Sequence, residues 1–144
     1  EEMFQATLNS LPADVAIFSA AVGDYKVKET SKIKIKKQDR LNIELEKNID
    51  ILNYVSKHNS LRPKLVIGFA AETNNLESYA NKKLNEKNCD WIVANDVSNK
   101  KIGFNSNFNE VSIFYKNNKT EKLKYKLKSE ISDELVEKII NHLN

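Results

Sequence analysis

The sequence is short of cysteine and glycine and has no long apolar run. Its one cysteine, Cys89, allows no intramolecular disulfide, which favours a reducing compartment, and we interpret it as an inert apolar residue before a buried strand. With three glycines, the chain contains neither a Walker-type phosphate loop nor a GxGxxG fingerprint. No apolar run approaches the roughly 20 residues of a membrane span, and no signal-peptide pattern opens the chain. We therefore expect a cytoplasmic protein without a membrane partner.

A large excess of one charge is also absent. The 144 residues carry 23 Lys and Arg against 20 Asp and Glu, a net charge of +3, which by itself does not indicate nucleic acid. The lysine-rich stretch 26–37 has Tyr25 as its only aromatic neighbour, whereas single-strand binders stack bases on several rings. A nucleic-acid-binding module is therefore the weaker alternative, and no nucleic-acid partner is expected. The length and the 40% hydrophobic content predict one domain with a buried core.

Short apolar runs alternate with segments of helical periodicity. The apolar runs are rich in β-branched residues and do not alternate with polar ones, which is typical of strands buried on both faces; they lie at 14–22, 64–72 and 90–96. Apolar residues at helical spacing occur at 1–10, 49–58 and 73–88. This order predicts an α/β fold: a Rossmann-like, open, mainly parallel sheet with helices on both faces.

Two further segments alternate apolar and charged residues and predict β-hairpin extensions. Residues 32–37 and 41–46 flank "QDR", and residues 110–116 and 121–127 flank "NNKT". A terminal helix is predicted to follow from about Ser129, which with Ser132 is a plausible cap. Its predicted inner stripe consists of Leu135, Ile139, Ile140 and Leu143.

Small residues followed by a carboxylate stand at the end of each predicted parallel strand, where ligands bind in open α/β sheets. The carboxylates are Asp24, Glu72 and Asp96, and Lys83 and Lys87 lie one turn apart on the predicted helix 73–88. Simpler interpretations remain open: turn residues for Asp24 and Asp96, a helix start for Glu72, and a solvated helix face for the lysines. Taken together, lysines and carboxylates at one sheet edge suit a polyphosphate with Mg²⁺.

Six segments in order resemble the phosphopantothenoylcysteine synthetase family. They are "AAVGDY" at 20–25, "KIKK" at 34–37, "KNIDIL" at 47–52, "GFAAET" at 68–73, "DWIVANDVS" at 90–98 and "GFNSNFNEV" at 103–111. The resemblance implies that residues 1–144 are the carboxyl-terminal part of one synthetase domain, whose amino-terminal half is absent from this sequence. Two positions depart from the family pattern, Gly23 in place of Ala and Ile49 in place of Pro.

The resemblance implies a CTP-dependent ligase of coenzyme A biosynthesis. Its substrates are CTP, 4'-phosphopantothenate and L-cysteine, Mg²⁺ accompanies the nucleotide, and the product forms through an acyl-cytidylate. FMN is expected only in a fused decarboxylase domain that this sequence does not contain. The resemblance also implies a homodimer or higher oligomer. A non-catalytic fragment that binds nucleotide and dimerises remains the main alternative.

The resemblance further implies a role for each matching residue. Asp24 contacts the CTP ribose or its metal, and Lys34 is a mobile catalytic lysine on a flap that closes over CTP. Phe69 packs near the base, and Lys83 and Lys87 meet the phosphates. The remaining nucleotide-binding residues are Phe18, Ser19 and Ala20 at the end of the first strand, and Ile49, Asp50, Ile51 and Leu52, which present backbone groups.

Overall fold

The computed structural model describes residues 1–37, 40–98 and 106–144. In chain order its elements are α1 (Glu2–Asn9), β1 (Val15–Phe18), β2 (Tyr25–Val27), β3 (Leu45–Lys47), α2 (Ile51–Ser56), β4 (Leu65–Glu72), α3 (Leu76–Lys87), β5 (Trp91–Asp96), β6 (Phe108–Tyr115), β7 (Thr120–Leu127) and α4 (Lys128–Leu143). None of the helices within these residues is long and apolar enough to cross a membrane.

The main sheet has five strands in the order β1-β4-β5-β6-β7. The pairs β1–β4 and β4–β5 are parallel, whereas β5–β6 and β6–β7 are antiparallel. Helices cover both faces of this sheet, and the α/β, Rossmann-like prediction is confirmed. The predicted hairpin near the carboxyl terminus is also confirmed, since β6 and β7 extend the sheet at one edge.

Two apolar clusters form the core, one on each face of the sheet. On one face, α4 packs through Ile131, Leu135 and Ile139 against β4, β5, β6 and β7. On the other face, α3 packs through Ala80 and Leu84, and Leu52 of α2 joins the same cluster. Because buried side chains attach α3 and α4 to the sheet, the backbone of each helix has a fixed position relative to the strands.

A close approach of α2 to the sheet requires the glycine in the middle of β4. A Cβ atom built on Gly68 would lie 2.8 Å from both Leu52 Cδ2 and Ile92 Cδ1. Asp50 starts α2, since its Oδ1 accepts a hydrogen bond of 2.9 Å from the Asn53 N–H. The "KNIDIL" segment is therefore held against β4 at Gly68, which is the last β4 residue that pairs with β1.

The strand β1 is shorter than the predicted run 14–22, which creates a step at the sheet edge. It pairs with β4 only from Val15 to Phe18, opposite Leu65 to Gly68. The strand β4 continues to Glu72, so its last four residues have no neighbour on the β1 side among the described strands. Residues 19–24 turn away as a loop, and this step gives the sheet an open corner.

The first predicted hairpin has the wrong register. The paired strands are β2 and β3, with Tyr25 opposite Lys47 and Val27 opposite Leu45, whereas residues 32–37 and 41–44 form no strand. The pairing lies nearer the sheet because ion pairs fix it there: Lys28 Nζ lies 3.0 Å from Glu44 Oε2. Of the predicted turn "QDR", residues 38 and 39 lie outside the described residues. We call residues 25–37 and 40–47 the arm.

Two details of the terminal helix were predicted wrongly. The helix begins at Lys128, and Glu130 rather than a serine caps it, because its Oε2 accepts a hydrogen bond of 2.9 Å from the Leu127 N–H. Ile140 and Leu143 are exposed instead of lying on the inner stripe, whose buried residue is Ile131. The apolar spacing therefore identified the helix and two residues of its inner stripe, Leu135 and Ile139, but placed Ile140 and Leu143 on the wrong face.

Candidate functional site

A cavity of about 1190 Å³ occupies the open corner beyond the carboxyl ends of β1 and β4. Its walls are α1, the loop after β1, the start of α2 and one face of α3. Every predicted site residue except Lys34 lines it: Phe18, Ser19, Ala20, Asp24, Ile49, Asp50, Ile51, Leu52, Phe69, Lys83 and Lys87. The fold thus brings together residues that are up to 69 positions apart (18 to 87). Their roles toward a ligand remain predictions.

Two predicted contributors do not reach this cavity. Lys34 lies exposed in the part of the arm without strand structure and is not among the lining residues. Asp96 at the end of β5 is also outside the lining, so the expectation that three strand ends share one crevice is wrong. Its Oδ1 instead accepts hydrogen bonds from the Ser98 hydroxyl and N–H, which lower the pKa of the Asp96 carboxyl. Asp96 is therefore the last residue of β5, and its side chain fixes the segment that follows the strand and does not face the cavity.

The loop that carries Asp24 is fixed by Asn48 at the base of the arm. The Asn48 N–H donates a hydrogen bond of 2.8 Å to the Asp24 carbonyl, and its Nδ2 donates one of 3.1 Å to the Gly23 carbonyl. These bonds join the loop after β1 to the segment before α2. They hold the backbone of Asp24 at the cavity wall, while its carboxylate keeps the freedom to bind a hydroxyl or a cation.

Lys87 is paired with the carboxylate that caps α2. Its Nζ donates a hydrogen bond to Asp50 Oδ2. Partial burial opposes the ionisation of Asp50, but the hydrogen bonds from Lys87 and the Asn53 N–H, with the attraction of Lys87 and Lys83, lower the pKa of its carboxyl. The hydrogen bond to Asp50 correspondingly raises the pKa of the Lys87 ammonium. Both groups are therefore charged at neutral pH.

Lys83 is paired with the last residue of β4. Its Nζ lies 3.7 Å from Glu72 Oε1. The interpretation of Glu72 as a helix-start residue is wrong, because α3 begins only at Leu76, after Asn75 in the left-handed conformation with φ of 45°. Glu72 is instead a strand residue that the sheet positions beside a helix, and its role as an ion-pair partner was missed from the sequence.

The described lining of the cavity carries four lysines and four carboxylates, so its formal charges cancel. Its lysines are Lys47, Lys82, Lys83 and Lys87, and its carboxylates are Asp24, Asp50, Glu72 and Glu86. Lys82, Lys83 and Lys87 are each paired with a carboxylate, so a highly charged anion would meet no surplus of positive charge. Additional positive charge, from a bound cation or from the lysines of the arm, would be needed to neutralise a triphosphate.

The described residues contain no group of three or more His, Cys, Asp and Glu that could hold a metal ion by itself. Mg²⁺ is commonly held by one or two carboxylates together with substrate phosphates. Asp24 at the cavity wall fits a site of this kind, in which one carboxylate binds the cation and the other ligands come from the nucleotide and from water.

Cys89 lies beneath this region and takes no part in it. It is fully buried, and its Sγ would lie 3.7 Å from a Cβ on Gly68. Burial, reinforced by the nearby Asp90 carboxylate, raises the pKa of its thiol to about 12. The thiolate is therefore scarcely populated at neutral pH, which agrees with the interpretation of Cys89 as an inert apolar residue.

A mixed sheet with helices on both faces and an open corner at the carboxyl ends of its parallel strands defines the class of Rossmann-like α/β domains, in which ligands bind at such strand ends. Within that class, residues 1–143 match the family described as DNA/pantothenate metabolism flavoprotein C-terminal domain, and the chain belongs to this family. The family prediction made from the six sequence segments is thereby confirmed.

Individual relatives agree with this assignment. The chain is 44% identical over 142 residues to the Coenzyme A biosynthesis bifunctional protein CoaBC of Haemophilus influenzae, covering 97% of this chain and 35% of that protein. It is 39% identical to CoaBC of Bacillus subtilis, covering 96% and 34%. The crystal structure of the C-terminal domain of CoaBC matches with a TM-score of 0.74 and 34% identity, covering 99% and 61%. The chain thus spans about a third of the length of these two curated relatives.

Proposed function

We propose that the chain forms the nucleotide-binding part of a CTP-dependent ligase that joins 4'-phosphopantothenate to L-cysteine in coenzyme A biosynthesis. One observation carries the proposal: the cavity gathers every residue to which the family resemblance assigns a nucleotide contact, except Lys34. The relatives named CoaBC support the pathway, because they are coenzyme A biosynthesis proteins of which this chain matches one part.

The proposed reaction forms an amide in two displacements. The carboxylate of 4'-phosphopantothenate attacks the α-phosphorus of CTP, the bond to the β-phosphate oxygen breaks, and pyrophosphate leaves. The cysteine amine then attacks the acyl carbon of the acyl-cytidylate, loses a proton, and CMP leaves. Activation is required because a carboxylate is a poor electrophile, whereas CMP is a good leaving group. When bound, Mg²⁺ would neutralise part of the charge on the triphosphate.

The side chains of the cavity divide this work between its two ends. Phe69 and Phe18 offer apolar surface for the base and sugar, and Phe69 is 36% exposed in the ligand-free chain. Lys83 and Lys87 project from α3 and stabilise negative charge on the phosphates. Asp24, fixed through its backbone by Asn48, accepts hydrogen bonds from the ribose or contributes an oxygen to the cation.

Lys34 contributes only if the arm brings it to the phosphates. The arm is paired through the three residue pairs between β2 and β3, and beyond them its described residues make no strand. We propose that the arm closes over bound CTP and that Lys34 then supplies the positive charge that the balanced lining lacks. Closure that completes a site after substrate has bound is common among enzymes with mobile segments.

The arm also supports self-association. Many of its apolar side chains are exposed, with Ile33 at 81%, and residues 32–37 carry four lysines whereas residues 41–46 carry two glutamates and no basic residue. A second copy of the chain offers the same two segments, so antiparallel contact between two arms would pair opposite charges and bury apolar surface. We propose a homodimer or higher oligomer formed through this arm.

A non-catalytic nucleotide-binding fragment is the second candidate. Lys34 lies outside the cavity, and the chain spans about a third of the length of its CoaBC relatives. A chain of this kind would bind CTP without releasing pyrophosphate. An assay of pyrophosphate release therefore distinguishes the two functions, because only the ligase releases pyrophosphate.

The deciding experiment combines calorimetric CTP titration with an assay for CTP-dependent pyrophosphate release in the presence of 4'-phosphopantothenate. We expect CTP to bind and pyrophosphate to appear only with that acid. The double variant Lys83→Gln/Lys87→Gln should lose CTP binding, whereas the control Lys122→Gln/Lys124→Gln on the distant strand β7 should keep it. Binding of CTP that survives the α3 double variant would contradict the proposal.

A further inference from the structure

The pair between Glu72 and Lys83 is built from two rigid elements. Glu72 is the last residue of β4, opposite Asp96 of β5, and its carbonyl accepts a hydrogen bond of 2.9 Å from the Val97 N–H. Lys83 lies on α3 beside Leu84, whose side chain is buried against the sheet. The packing of α3 on the sheet therefore brings the two side chains within reach of each other, with Lys83 Nζ 3.7 Å from Glu72 Oε1.

The two partners are unequally exposed. The Glu72 side chain is 20% exposed, and that of Lys83 is 36% exposed and opens on the cavity. An anion that binds Lys83 from the cavity side competes with Glu72 for the ammonium group and leaves a half-buried carboxylate beside the bound anion. That carboxylate repels the anion, and the repulsion is strong because solvent screens the group only partly.

The consequence depends on what the ligand brings with it. A bare phosphate or pyrophosphate carries only negative charge. When it binds Lys83, it gains one ammonium partner, but the ion pair between Lys83 and Glu72 is weakened. A nucleoside triphosphate with a divalent cation carries positive charge of its own and gains further contacts along the cavity. The paired carboxylate therefore penalises simple anions more than it penalises the charge-compensated nucleotide.

We propose that Glu72 determines the specificity of the site by holding Lys83 in an ion pair that weakens the binding of simple anions more than that of a nucleotide with its cation. This inference deepens the proposed function and rests on it, since it concerns the same phosphate-binding end of the cavity. It assigns Glu72 a role toward the ligand that acts through Lys83, so Glu72 is a positioning residue and not a catalytic one. It also gives a reason for the position of the Glu72 carboxylate beside Lys83, whose ammonium group is proposed to bind phosphate.

The test measures binding of metal-free pyrophosphate and of CTP with Mg²⁺ to the full-length protein by calorimetry, for the wild type and for Glu72→Gln. We expect Glu72→Gln to bind metal-free pyrophosphate about three- to tenfold more tightly, with a smaller change for CTP with Mg²⁺. The matched control is Glu86→Gln, which removes the same charge from the cavity lining but from a carboxylate that faces Lys82 at 3.8 Å. Glu86→Gln should change pyrophosphate binding by less than about twofold.

The Lys83→Met background separates the ion pair from the net charge. In the Lys83→Met background, Glu72→Gln should improve pyrophosphate binding clearly less than it does in the wild type, because only direct repulsion by Glu72 is relieved and no ammonium group is released. Equal effects of Glu72→Gln and Glu86→Gln, or an effect of Glu72→Gln that is as large without Lys83 as with it, would overturn the inference. If Glu72→Gln does not fold, as judged by its melting curve, the Glu72→Ala variant gives the same comparison, because it also removes the carboxylate.

Failure of the inference and failure of the proposed function are distinguishable. Absence of CTP binding by the wild type overturns the proposed function and leaves the pyrophosphate comparison intact. Normal CTP binding with pyrophosphate binding that is insensitive to Glu72→Gln overturns the role of Glu72 alone.

Discussion

The sheet with its packed helices and the arm differ in how firmly their side chains are held. In the sheet, Leu65, Val66 and Ile92 have no exposed surface, and α3 and α4 are anchored from opposite faces. In the arm, three residue pairs and exposed ion pairs such as Lys28 with Glu44 provide the described contacts. An isolated two-stranded hairpin is marginally stable in water. Phe69, Lys83 and Lys87, which are proposed to contact CTP, therefore lie on well-packed elements, whereas Lys34, proposed to assist the chemistry, lies on the weakly held arm.

This contrast separates binding from turnover. Substitutions in the arm should change the reaction rate without changing the folding of the sheet. Substitutions at the core should change the free energy of unfolding, and those at the cavity wall should change affinity. Each prediction below tests one side of this division.

The largest effect is expected for Lys34→Gln in the arm. We expect CMP release by the full-length enzyme to fall by about 100-fold, because one preorganised positive charge at developing negative charge typically contributes that much. The melting temperature should not change, since the Lys34 side chain is exposed. The control Lys32→Gln removes the same charge two residues earlier and should keep most of the activity. Normal CMP release by Lys34→Gln would remove this lysine from the mechanism.

The second prediction compares two glycines, one in the sheet and one beside the arm. Gly68→Ala places a Cβ 2.8 Å from Leu52 Cδ2 and Ile92 Cδ1, so we expect a loss of about 1–3 kcal/mol of unfolding free energy. Gly23→Ala places its Cβ 3.6 Å from the Tyr25 carbonyl oxygen, an ordinary contact, and should change stability by less than about 0.5 kcal/mol. Urea unfolding of both variants measures the difference. Equal stability of the two variants would mean that α2 is not packed tightly against β4.

The third prediction concerns Asp24, at the junction between the loop after β1 and the arm. Asp24→Asn should weaken CTP binding by about tenfold, because it removes a charged acceptor for the ribose or an oxygen ligand for the cation. The control Asp14→Asn removes a carboxylate at the opposite end of β1, where Oδ1 lies 2.9 Å from Lys64 Nζ. Calorimetry at high and low Mg²⁺ distinguishes the two roles, since a metal ligand makes the loss depend on the metal concentration. CTP affinity unchanged at both concentrations contradicts either role.

The sequence predicted the parts of the fold that local pattern determines. The runs at 64–72 and 90–96 became parallel strands buried between helix layers, because their length and β-branched content suit burial. The run at 14–22 was predicted partly wrongly, since it gave only the short edge strand β1, in which Ile17 is exposed. The first hairpin was placed wrongly because alternation alone does not fix register, which here follows from long-range ion pairs and from Asn48. The rotation of α4 was predicted partly wrongly because its apolar positions do not all face the core.

The candidate site was predictable through the family resemblance more than through the residues themselves. Lys83 and Lys87 stand at a spacing that a solvated helix face explains equally well, and nothing local pairs them with Glu72 and Asp50. Those ion pairs join positions 11 residues apart (72 to 83) and 37 apart (50 to 87), so they depend on the crossover of α3 over the sheet. The charge balance of the cavity is a property of tertiary structure that no single segment of the sequence displays.

The smallest effect is expected for the ion pair of Asp50, which tests whether the cavity wall also stabilises the fold. Asp50→Ala loses both the α2 cap and the Lys87 partner and should cost about 1 kcal/mol of unfolding free energy near neutral pH. Asp50→Asn keeps a cap acceptor and loses the charge, so it should cost about 0.5 kcal/mol or less, because the pair is partly exposed and screened. The pKa of Asp50 is lowered by folding, so its charge stabilises the fold above the ordinary value of 3.8, and that stabilisation is lost as pH falls through the lower folded-state pKa. Urea unfolding followed from neutral pH into this acidic range should therefore show the wild type and Asp50→Asn converging. A difference that is independent of pH would assign the effect to packing and not to the Asp50 charge.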